Sequence, residues 1–205
     1  MTTAREEILG KLRQAKHQVP DEPELNEPVF PPVALPLENA FKNQLESISG
    51  KVYLFDEEKE LFDALKKSVS EFDPATVFCN EAQLLLKLKD AGIGFQQYEG
   101  PQNLVEAGIT GCEFLIARSG TVMVSSAQGG GRQLSVYPPV HIVIARKNQL
   151  VESLEEAYAG ILEKYNDNLP SQIALITGPS RTADIEKTLV LGAHGPKEIR
   201  VFLYP

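Results

Sequence analysis

The segment at residues 173–196 combines residue types that could hold a small anion. Its sequence, IALITGPSRTADIEKTLVLGAHGP, is typical of a buried strand, a short turn and a helix with apolar residues along one face. Backbone N–H groups at a helix start attract phosphate and carboxylate, and the hydroxyl and guanidinium groups of the turn would add hydrogen bonds. The sequence therefore predicts an anion pocket whose ligand-binding residues are Gly178, Pro179, Ser180, Arg181 and Thr182.

An alternative explains the same turn without a ligand. Ser180 and Thr182 would only cap the helix, and Arg181 would pair with Asp184, whose charge near the helix start already uses the favourable dipole. A phosphate-binding P-loop is excluded, because no glycine-rich loop runs directly into a Lys-Ser or Lys-Thr pair. Anion binding and simple capping both remain open at this turn.

A second candidate is the glycine-rich loop at residues 128–132. Consecutive glycines permit positive φ and a close approach of the backbone to a ligand, and an arginine fork suits a carboxylate or a phosphate. A flexible surface turn is the alternative. The residues of this loop that we take as candidate ligand contacts are Gly129, Gly130, Gly131 and Arg132.

The chain has three histidines, and none of them has the spacing of a metal or catalytic motif. His17 is expected to face solvent on an N-terminal helix. His141 begins a strand after two prolines, where a hydrogen-bonded structural role competes with ligand contact, and His194 lies in a Gly-Pro loop that could present it at a site rim. His141 and His194 join the candidate ligand residues, while no catalytic residue and no metal ligand is assigned.

The elements that would position these residues alternate between strands and helices from residue 51 onward. Strands are predicted at KVYLF, TVFC, GFQQY and VHIVIA, with one helix after KVYLF and another after TVFC. A further helix is predicted at about 151–165, and a strand–loop–helix–strand unit is predicted from Gln172 to Tyr204. A hairpin of EFLIA at 113–117 and TVMVS at 121–125 is inserted into this scheme. The sequence predicts an α/β fold with a mostly parallel sheet flanked by helices, in which ligands usually sit beyond the carboxyl ends of the strands.

The N-terminal segment does not follow this alternation of strands and helices. Residues 3–17 predict an amphipathic helix with a capping-box spacing, and residues 20–36 are rich in proline, which removes backbone donors and disfavours helix. We expect an N-terminal helix and proline-rich arm at 1–49 and an α/β domain at 50–205. The helix would pack on that domain or on a second subunit.

The composition excludes several classes of protein. The chain has 28 acidic and 20 basic residues and a formal charge of -8, which repels nucleic acid. Neither a signal peptide nor an apolar run of about 18 residues is present, so we expect a cytoplasmic protein without a membrane span. The two cysteines, Cys79 and Cys112, lack the grouped spacing of an iron–sulfur cluster or structural zinc and are expected to be buried, reduced thiols. No cofactor is expected.

Three runs closely resemble one known family. They are ITGCEFLIARSGTV at 109–122, PPVHIVI at 138–144 and TGPSRTADIEKTLVLGAHGP at 177–196, and together they resemble the lactate-utilisation C proteins, also called LUD-domain proteins. The resemblance covers roughly residues 50–205. It implies a fold similar to that of sugar-phosphate isomerases and CoA-transferases, and a role beside two iron–sulfur subunits in the oxidation of L-lactate to pyruvate.

The chain departs from similar proteins at Arg118. Many relatives that resemble it have an acidic residue in this turn, which looks like the turn that holds the nucleophilic glutamate of CoA-transferases. A guanidinium stays protonated and cannot attack a thioester, so covalent CoA-transfer through this position is ruled out. Arg118 is therefore a candidate contact for a substrate carboxylate or an acidic partner residue, and a plain surface turn is the alternative.

Together these expectations describe a cofactor-free accessory subunit of an iron–sulfur L-lactate oxidation system, with a small-anion pocket at 178–182. The expected partners are the iron–sulfur subunits, a small anionic ligand and a second copy of the chain in a homodimer. The first alternative is an isomerase- or transferase-like enzyme that acts on a phosphorylated or carboxylated small molecule, with Asp184 or His194 as its acid–base residue. The second is a small-molecule sensor or carrier on the same scaffold.

Overall fold

The computed structural model describes residues 4–14, 30–33, 35–100, 104–129, 132–182 and 190–205. The chain divides into two compact units, Met1–Pro32 and Val33–Pro205. The first unit contains helix α1 (Ala4–Gln14), which lies within the predicted helix and has no buried residue. The remainder of that predicted helix, including His17, and most of the proline-rich arm lie outside the described residues.

The second unit contains the other helices and all the strands. The helices are α2 (Leu37–Ser47), α3 (Glu58–Val69), α4 (Ala82–Asp90) and α5 (Leu154–Tyr165). The strands are β1 (Lys51–Leu54), β2 (Val77–Cys79), β3 (Ala107–Thr110), β4 (Phe114–Ile116), β5 (Thr121–Ser125), β6 (Val140–Arg146), β7 (Leu150–Val151), β8 (Ile173–Ile176), β9 (Arg181–Thr182), β10 (Val190–Leu191) and β11 (Glu198–Tyr204). Among the described residues, none of the helices has the length and apolar character needed to cross a bilayer.

The centre of this unit is a five-stranded sheet in the order β1-β11-β6-β3-β2, in which every neighbouring pair is parallel. Both faces of the sheet are covered, which is the usual condition of a parallel sheet. Along β6, Ile142 and Ile144 pack with α3 and α4, while Val143 and Ala145 pack with α2 and the second sheet. The predicted α/β class, with a mostly parallel sheet and flanking helices, is confirmed.

The predicted hairpin is also present, but it builds a sheet of its own. Strands β4 and β5 pair antiparallel and form a second sheet in the order β7-β4-β5-β8, on which α5 packs. The hairpin turn contains Gly120 at φ +63, and a Cβ at this position would lie 2.5 Å from the backbone nitrogen of Leu45. Only glycine fits this turn, because both its conformation and its contact with α2 exclude a side chain.

Helix α2 was not predicted, and it belongs to the compact unit Val33–Pro205. Its side chains Phe41 and Leu45 have 0% exposure and join the core between the two sheets. The predicted strand GFQQY forms only a single bridge, between Phe78 and Gln96. Two backbone hydrogen bonds pair this segment with the outer edge of β2. The Gln96 N–H donates to the Val77 carbonyl, and the Gln96 carbonyl accepts the N–H of Cys79.

The two cysteines are buried and form no disulfide, as expected. Burial raises the pKa of Cys79 to about 12 and also raises the pKa of Cys112. Only the thiolate reacts with disulfide reagents, and at pH 8 a pKa of about 12 leaves roughly one thiol in ten thousand ionised.

We expect an aromatic disulfide reagent at pH 8 to titrate no thiol in the folded protein and both thiols in denaturant. Rapid release of the chromophore by the native chain would contradict the buried placement.

Candidate functional site

A cleft of about 510 Å³ lies at the carboxyl ends of the parallel strands. Asn80 and Glu81, which follow β2, and Gly111, which follows β3, line this cleft. Arg146 and Tyr204 are the last residues of β6 and β11. This is the edge at which open α/β sheets bind ligands, because the loops that leave the strands diverge there.

A larger hollow of about 850 Å³ lies elsewhere, beside the edge strand β2 and helix α4. Its lining is mainly apolar and amide, with Lys89 and Glu99 as its charged residues. The smaller cleft is the better candidate for a functional site, because charged groups from several strands and helices converge on it. A binding site needs polar groups that are positioned in this way.

The charges that line the cleft are three cations, Lys87, Arg146 and Lys164, and one carboxylate, Glu81. Two of these cations are ion-paired, Lys87 with Glu58 and Lys164 with Glu113, whereas Arg146 forms no ion pair with a described carboxylate. An unpaired guanidinium in a concave surface attracts ligands of the opposite sign. The cleft is therefore suited to an anion that binds Arg146.

Tyr204 holds two of these cations in place. Its hydroxyl oxygen accepts hydrogen bonds from Lys87 Nζ at 3.1 Å and Arg146 Nε at 3.0 Å. Burial lowers the pKa of Lys87, but its bonds to Glu58 and Tyr204 outweigh this effect and keep the pKa above its ordinary value. Arg146 bonds through Nε, and its terminal nitrogens make no hydrogen bond to a described residue. The forked end of this guanidinium is free to bind a carboxylate or phosphate.

The third cation, Lys164, is anchored by a buried carboxylate behind the cleft. Glu113, whose side chain is 1% exposed, accepts hydrogen bonds from Lys164 Nζ at 2.7 Å, Ser125 Oγ at 2.5 Å and Tyr165 Oη at 2.8 Å. Burial raises the pKa of Glu113, but these three bonds outweigh burial and hold the pKa below its ordinary value. The carboxylate therefore stays ionised and fixes both Lys164 and Tyr165 at the cleft.

Glu81 is the carboxylate inside the cleft. Its Oε1 accepts the backbone N–H of Gly111 at 2.7 Å. Burial raises its pKa above the ordinary value and outweighs the lowering effect of that N–H, and the nearby Glu113 adds to the rise. A carboxyl group with a raised pKa in a polar cleft is a candidate acid–base residue.

Residues 178–182, where a helix start was predicted, contain no helix; a helix that begins after Thr182 would lie outside the described residues. Arg181 and Thr182 form strand β9, which pairs antiparallel with β10. Ser180 donates its N–H to Pro196 at 2.8 Å, so this amide is occupied. Residues 183–189, including Asp184, lie outside the described residues. Within residues 178–182 no helix-start amide supports an anion site, and anion contact at this loop stays a prediction.

The predicted contacts at this loop also lie apart from the cleft. The Arg181 guanidinium donates to the carbonyl of Ile48 and to Ser49 Oγ, both at 2.7 Å. Gly178 has φ +83 and Pro179 is buried. His194 is exposed in the adjoining loop. That loop enters the amino end of β11 through Pro196, whereas the cleft lies at the carboxyl end.

Of the glycine-rich loop, Gln128 and Gly129 line the cleft, and Gly130 and Gly131 lie outside the described residues. Arg132 is exposed and donates to Ser171 Oγ at 2.7 Å. His141 has 0% exposure, and its Nε2 lies 2.8 Å from Thr110 Oγ1. Burial lowers its pKa to about 4, so its ring is neutral and enclosed by the fold.

Arg118 pairs with an acidic residue of its own chain. Its Nη2 lies 2.5 Å from Glu152 Oε1, and the same oxygen accepts the backbone N–H of Val33 at 3.1 Å. Glu152 is thus an internal partner of Arg118, and contact with a substrate carboxylate or an acidic partner residue, to which a plain surface turn is the alternative, stays a prediction. The pair joins the β4–β5 turn to the segment that precedes α5.

The residues that form the cleft were missed by the sequence analysis, apart from Gly129. The missed charged and phenolic residues are Glu81, Lys87, Arg146, Lys164, Tyr165 and Tyr204. A usable signal existed, because Glu81, Arg146 and Tyr204 stand at the ends of strands that the sequence does predict. Within the described part of the chain, no group of three or more His, Cys, Asp or Glu side chains is placed to hold a metal ion.

Comparison with known proteins places this fold in a family. The LUD domain matches residues 98–204. A Lactate utilization protein C of Bacillus licheniformis is 40% identical over 104 residues, 47% of this chain and 43% of that protein. Its namesake in Bacillus subtilis is 35% identical over 156 residues, 66% of this chain and 65% of that protein. An uncharacterized protein of Neisseria meningitidis is 41% identical over 96 residues, 46% of this chain and 40% of that protein.

The matched segment thus spans about two fifths of the length of the relatives from Bacillus licheniformis and Neisseria meningitidis. The crystal structure of a DUF162 family protein from Deinococcus radiodurans has a TM-score of 0.62 at 20% identity, and the alignment covers 82% of this chain and 96% of that one. At this identity the likeness is one of fold. The LUD domain covers more than half of the chain, and the chain belongs to the LUD domain family.

Proposed function

We propose that this chain is a cytoplasmic component of a lactate-utilisation system and binds a small organic anion in the cleft at the carboxyl ends of its parallel strands. The family and the names of the relatives support the lactate-utilisation role. The observation that carries the binding function is the guanidinium fork of Arg146, which lines the cleft and makes no hydrogen bond to a described residue through its terminal nitrogens. Lactate and pyruvate are small carboxylates, which an arginine fork recognises well.

The proposed role is that of an accessory subunit beside iron–sulfur proteins. Lactate oxidation removes two electrons, and a cluster that carried them would need about four thiolate ligands. The chain has two cysteines, both with raised pKa values in buried positions. Partner subunits would supply the electron carriers, and this chain would bind the anion and the partners.

A second candidate function is an isomerase- or transferase-like enzyme acting on a carboxylated or phosphorylated small molecule. Glu81 favours it, because this carboxylate lies in the cleft with a raised pKa and one oxygen anchored to Gly111. Such a group can move a proton at neutral pH. The two functions share the anion site and differ in whether the bound molecule reacts.

A thermal-shift titration tests the anion site. L-lactate, pyruvate or inorganic phosphate at 100 times its dissociation constant should stabilise the folded chain by about 2.7 kcal/mol. We expect Arg146→Gln to abolish most of this stabilisation, because it removes the free guanidinium of the cleft. Arg181→Gln is the matched control, since it removes one arginine charge at the loop 178–182.

The two arginine variants separate the cleft from the loop at 178–182. Retention of the shift by Arg181→Gln and its loss in Arg146→Gln would support the cleft. The reverse pattern would contradict the cleft and support the anion site predicted from the sequence. No shift with any of the three anions would contradict both. Co-purification from the native host addresses the partners, and the accessory role requires iron–sulfur proteins to accompany the tagged chain.

A further inference from the structure

Glu81 is placed like a helix cap but does not act as one. It is the N-cap residue of α4, and its side chain makes no cap hydrogen bond. The carboxylate instead reaches across the sheet edge to the N–H of Gly111, which follows β3. A glutamate at this position would ordinarily gain from the free amides and positive dipole of the helix start. Here the backbone of a different strand orients the carboxylate within the cleft.

Two glycines leave room for this arrangement. A Cβ at Gly111 would lie 2.7 Å from Glu81 Oε2, and a Cβ at Gly129 would lie 2.9 Å from Glu81 Cα. Both glycines line the cleft together with Glu81. Oε1 is engaged by Gly111, while Oε2 accepts no hydrogen bond from a described residue. One oxygen is thus fixed and the other is available to a bound molecule.

The surrounding charges suit a carboxylate that exchanges protons. Burial raises the pKa of Glu81, the Gly111 N–H lowers it, Glu113 raises it and Lys164 lowers it, with a net rise. A general base works best when its pKa approaches the working pH. Glu113 differs sharply, because its three hydrogen bonds keep it ionised. The two neighbouring carboxylates therefore have separate roles, one fixed and one able to titrate.

We infer that Glu81 is the proton-transfer residue of the cleft and that the chain catalyses the reversible enolisation of a 2-oxo carboxylate. This inference rests on the proposed function, since it needs the cleft to bind a small carboxylate. The substrate carboxylate binds the free fork of Arg146. Lys87 and Lys164 also line the cleft, held by Glu58 and Glu113, and their ammonium groups donate hydrogen bonds to the carbonyl oxygen as negative charge develops on it.

The step is balanced without an oxidant or a metal. Glu81 Oε2 takes a proton from the carbon next to the carbonyl, so a C–H bond breaks and an O–H bond forms on Glu81. The electron pair of the C–H bond becomes the carbon–carbon double bond, and the π pair of the carbonyl moves to its oxygen. Return of a proton from Glu81 restores the 2-oxo acid. In D₂O, exchange at Glu81 replaces the carbon-bound protons by deuterium.

Proton NMR of pyruvate and of 2-oxobutyrate in D₂O measures this exchange directly. We expect the full chain to accelerate loss of the signal of the carbon next to the carbonyl above the buffer rate. Glu81→Gln should lower the enzymatic rate by about 100-fold or more, since general bases contribute roughly 10² to 10⁴. Glu81→Asp, which keeps the charge but withdraws the carboxylate by one methylene, should lower it at least about tenfold. Glu57→Gln is the matched control, because Glu57 is an exposed N-cap of α3 without a cap hydrogen bond.

A thermal shift measured on the same samples separates the two proposals. Glu81→Gln should keep the pyruvate-induced shift, because the variant removes a negative charge and leaves Arg146 intact. Binding without exchange by the wild type would overturn the inference and leave the binding function standing. Exchange by Glu81→Gln at the wild-type rate would also overturn it. Absence of both binding and exchange would overturn both proposals.

Discussion

Replacement of Leu45 by alanine is expected to lower the free energy of unfolding by about 3–5 kcal/mol. Leu45 lies on α2 with 0% exposure, in the core cluster between the parallel sheet and the second sheet. The backbone around it is close, because the glycines at 50 and 120 both face it. A cavity in such a place cannot easily collapse, and the cost rises with the cavity that remains.

Chemical denaturation followed by circular dichroism measures this change. Leu86→Ala is the matched control, since Leu86 is also a helical leucine but is 68% exposed. We expect the control to change the free energy of unfolding by no more than about 0.5 kcal/mol. Equal effects of the two substitutions would contradict the placement of α2 in the core.

Helix α2 also shows what the sequence could and could not predict about the fold. Its buried positions Phe41 and Leu45 are four residues apart, which is a helical spacing, but only these two are buried in an eleven-residue helix. The proline-rich stretch before it favoured an extended arm instead. The buried parallel strands are easier to predict, because burial on both faces produces continuous apolar runs such as VHIVIA.

The candidate site was missed because sheet membership is not local. The rule that ligands lie beyond carboxyl ends of strands was sound, and it was applied to the turn after β8. That strand pairs antiparallel with β5 in the second sheet, so its end does not reach the carboxyl edge of the parallel sheet. Likewise, Arg181 and Thr182 pair with residues 190–191 through contacts that the turn sequence alone does not specify.

The cleft follows from sequence once strand order is known. The strands β2, β3, β6 and β11 are neighbours only through crossovers, which bring residues far apart in the chain to one edge. Lys87, Lys164 and Tyr204 look like ordinary surface residues when each is taken alone. Their convergence with Arg146, whose terminal nitrogens make no hydrogen bond to a described residue, is the physical basis for an anion site in an acidic protein.

Substitution of Lys164 by methionine is expected to destabilise the chain by about 3 kcal/mol at pH 7, the lower end of the cost of breaking a buried ion pair, because Lys164 is half exposed. The loss leaves the Glu113 carboxylate, which is 1% exposed, without its counter-charge. In the wild type the lowered pKa of Glu113 gives stability that is present above the ordinary carboxyl pKa and is lost as the pH falls through the folded value. Lys164→Met lacks the part of this stability that comes from the ion pair.

The difference in unfolding free energy between wild type and Lys164→Met should therefore be large at pH 7 and shrink as the pH falls through the ordinary carboxyl range towards the lowered pKa of Glu113 in the wild type. Urea denaturation at pH 7, 5 and 3.5 measures the trend. Lys147→Met is the control, since Lys147 forms a surface pair with Glu38 at 3.5 Å and should cost no more than about 1 kcal/mol. A difference in unfolding free energy that does not depend on pH would mean that Lys164 stabilises the fold through the packing of its alkyl chain. The claim that Glu113 holds a fixed negative charge behind the cleft would then have no support.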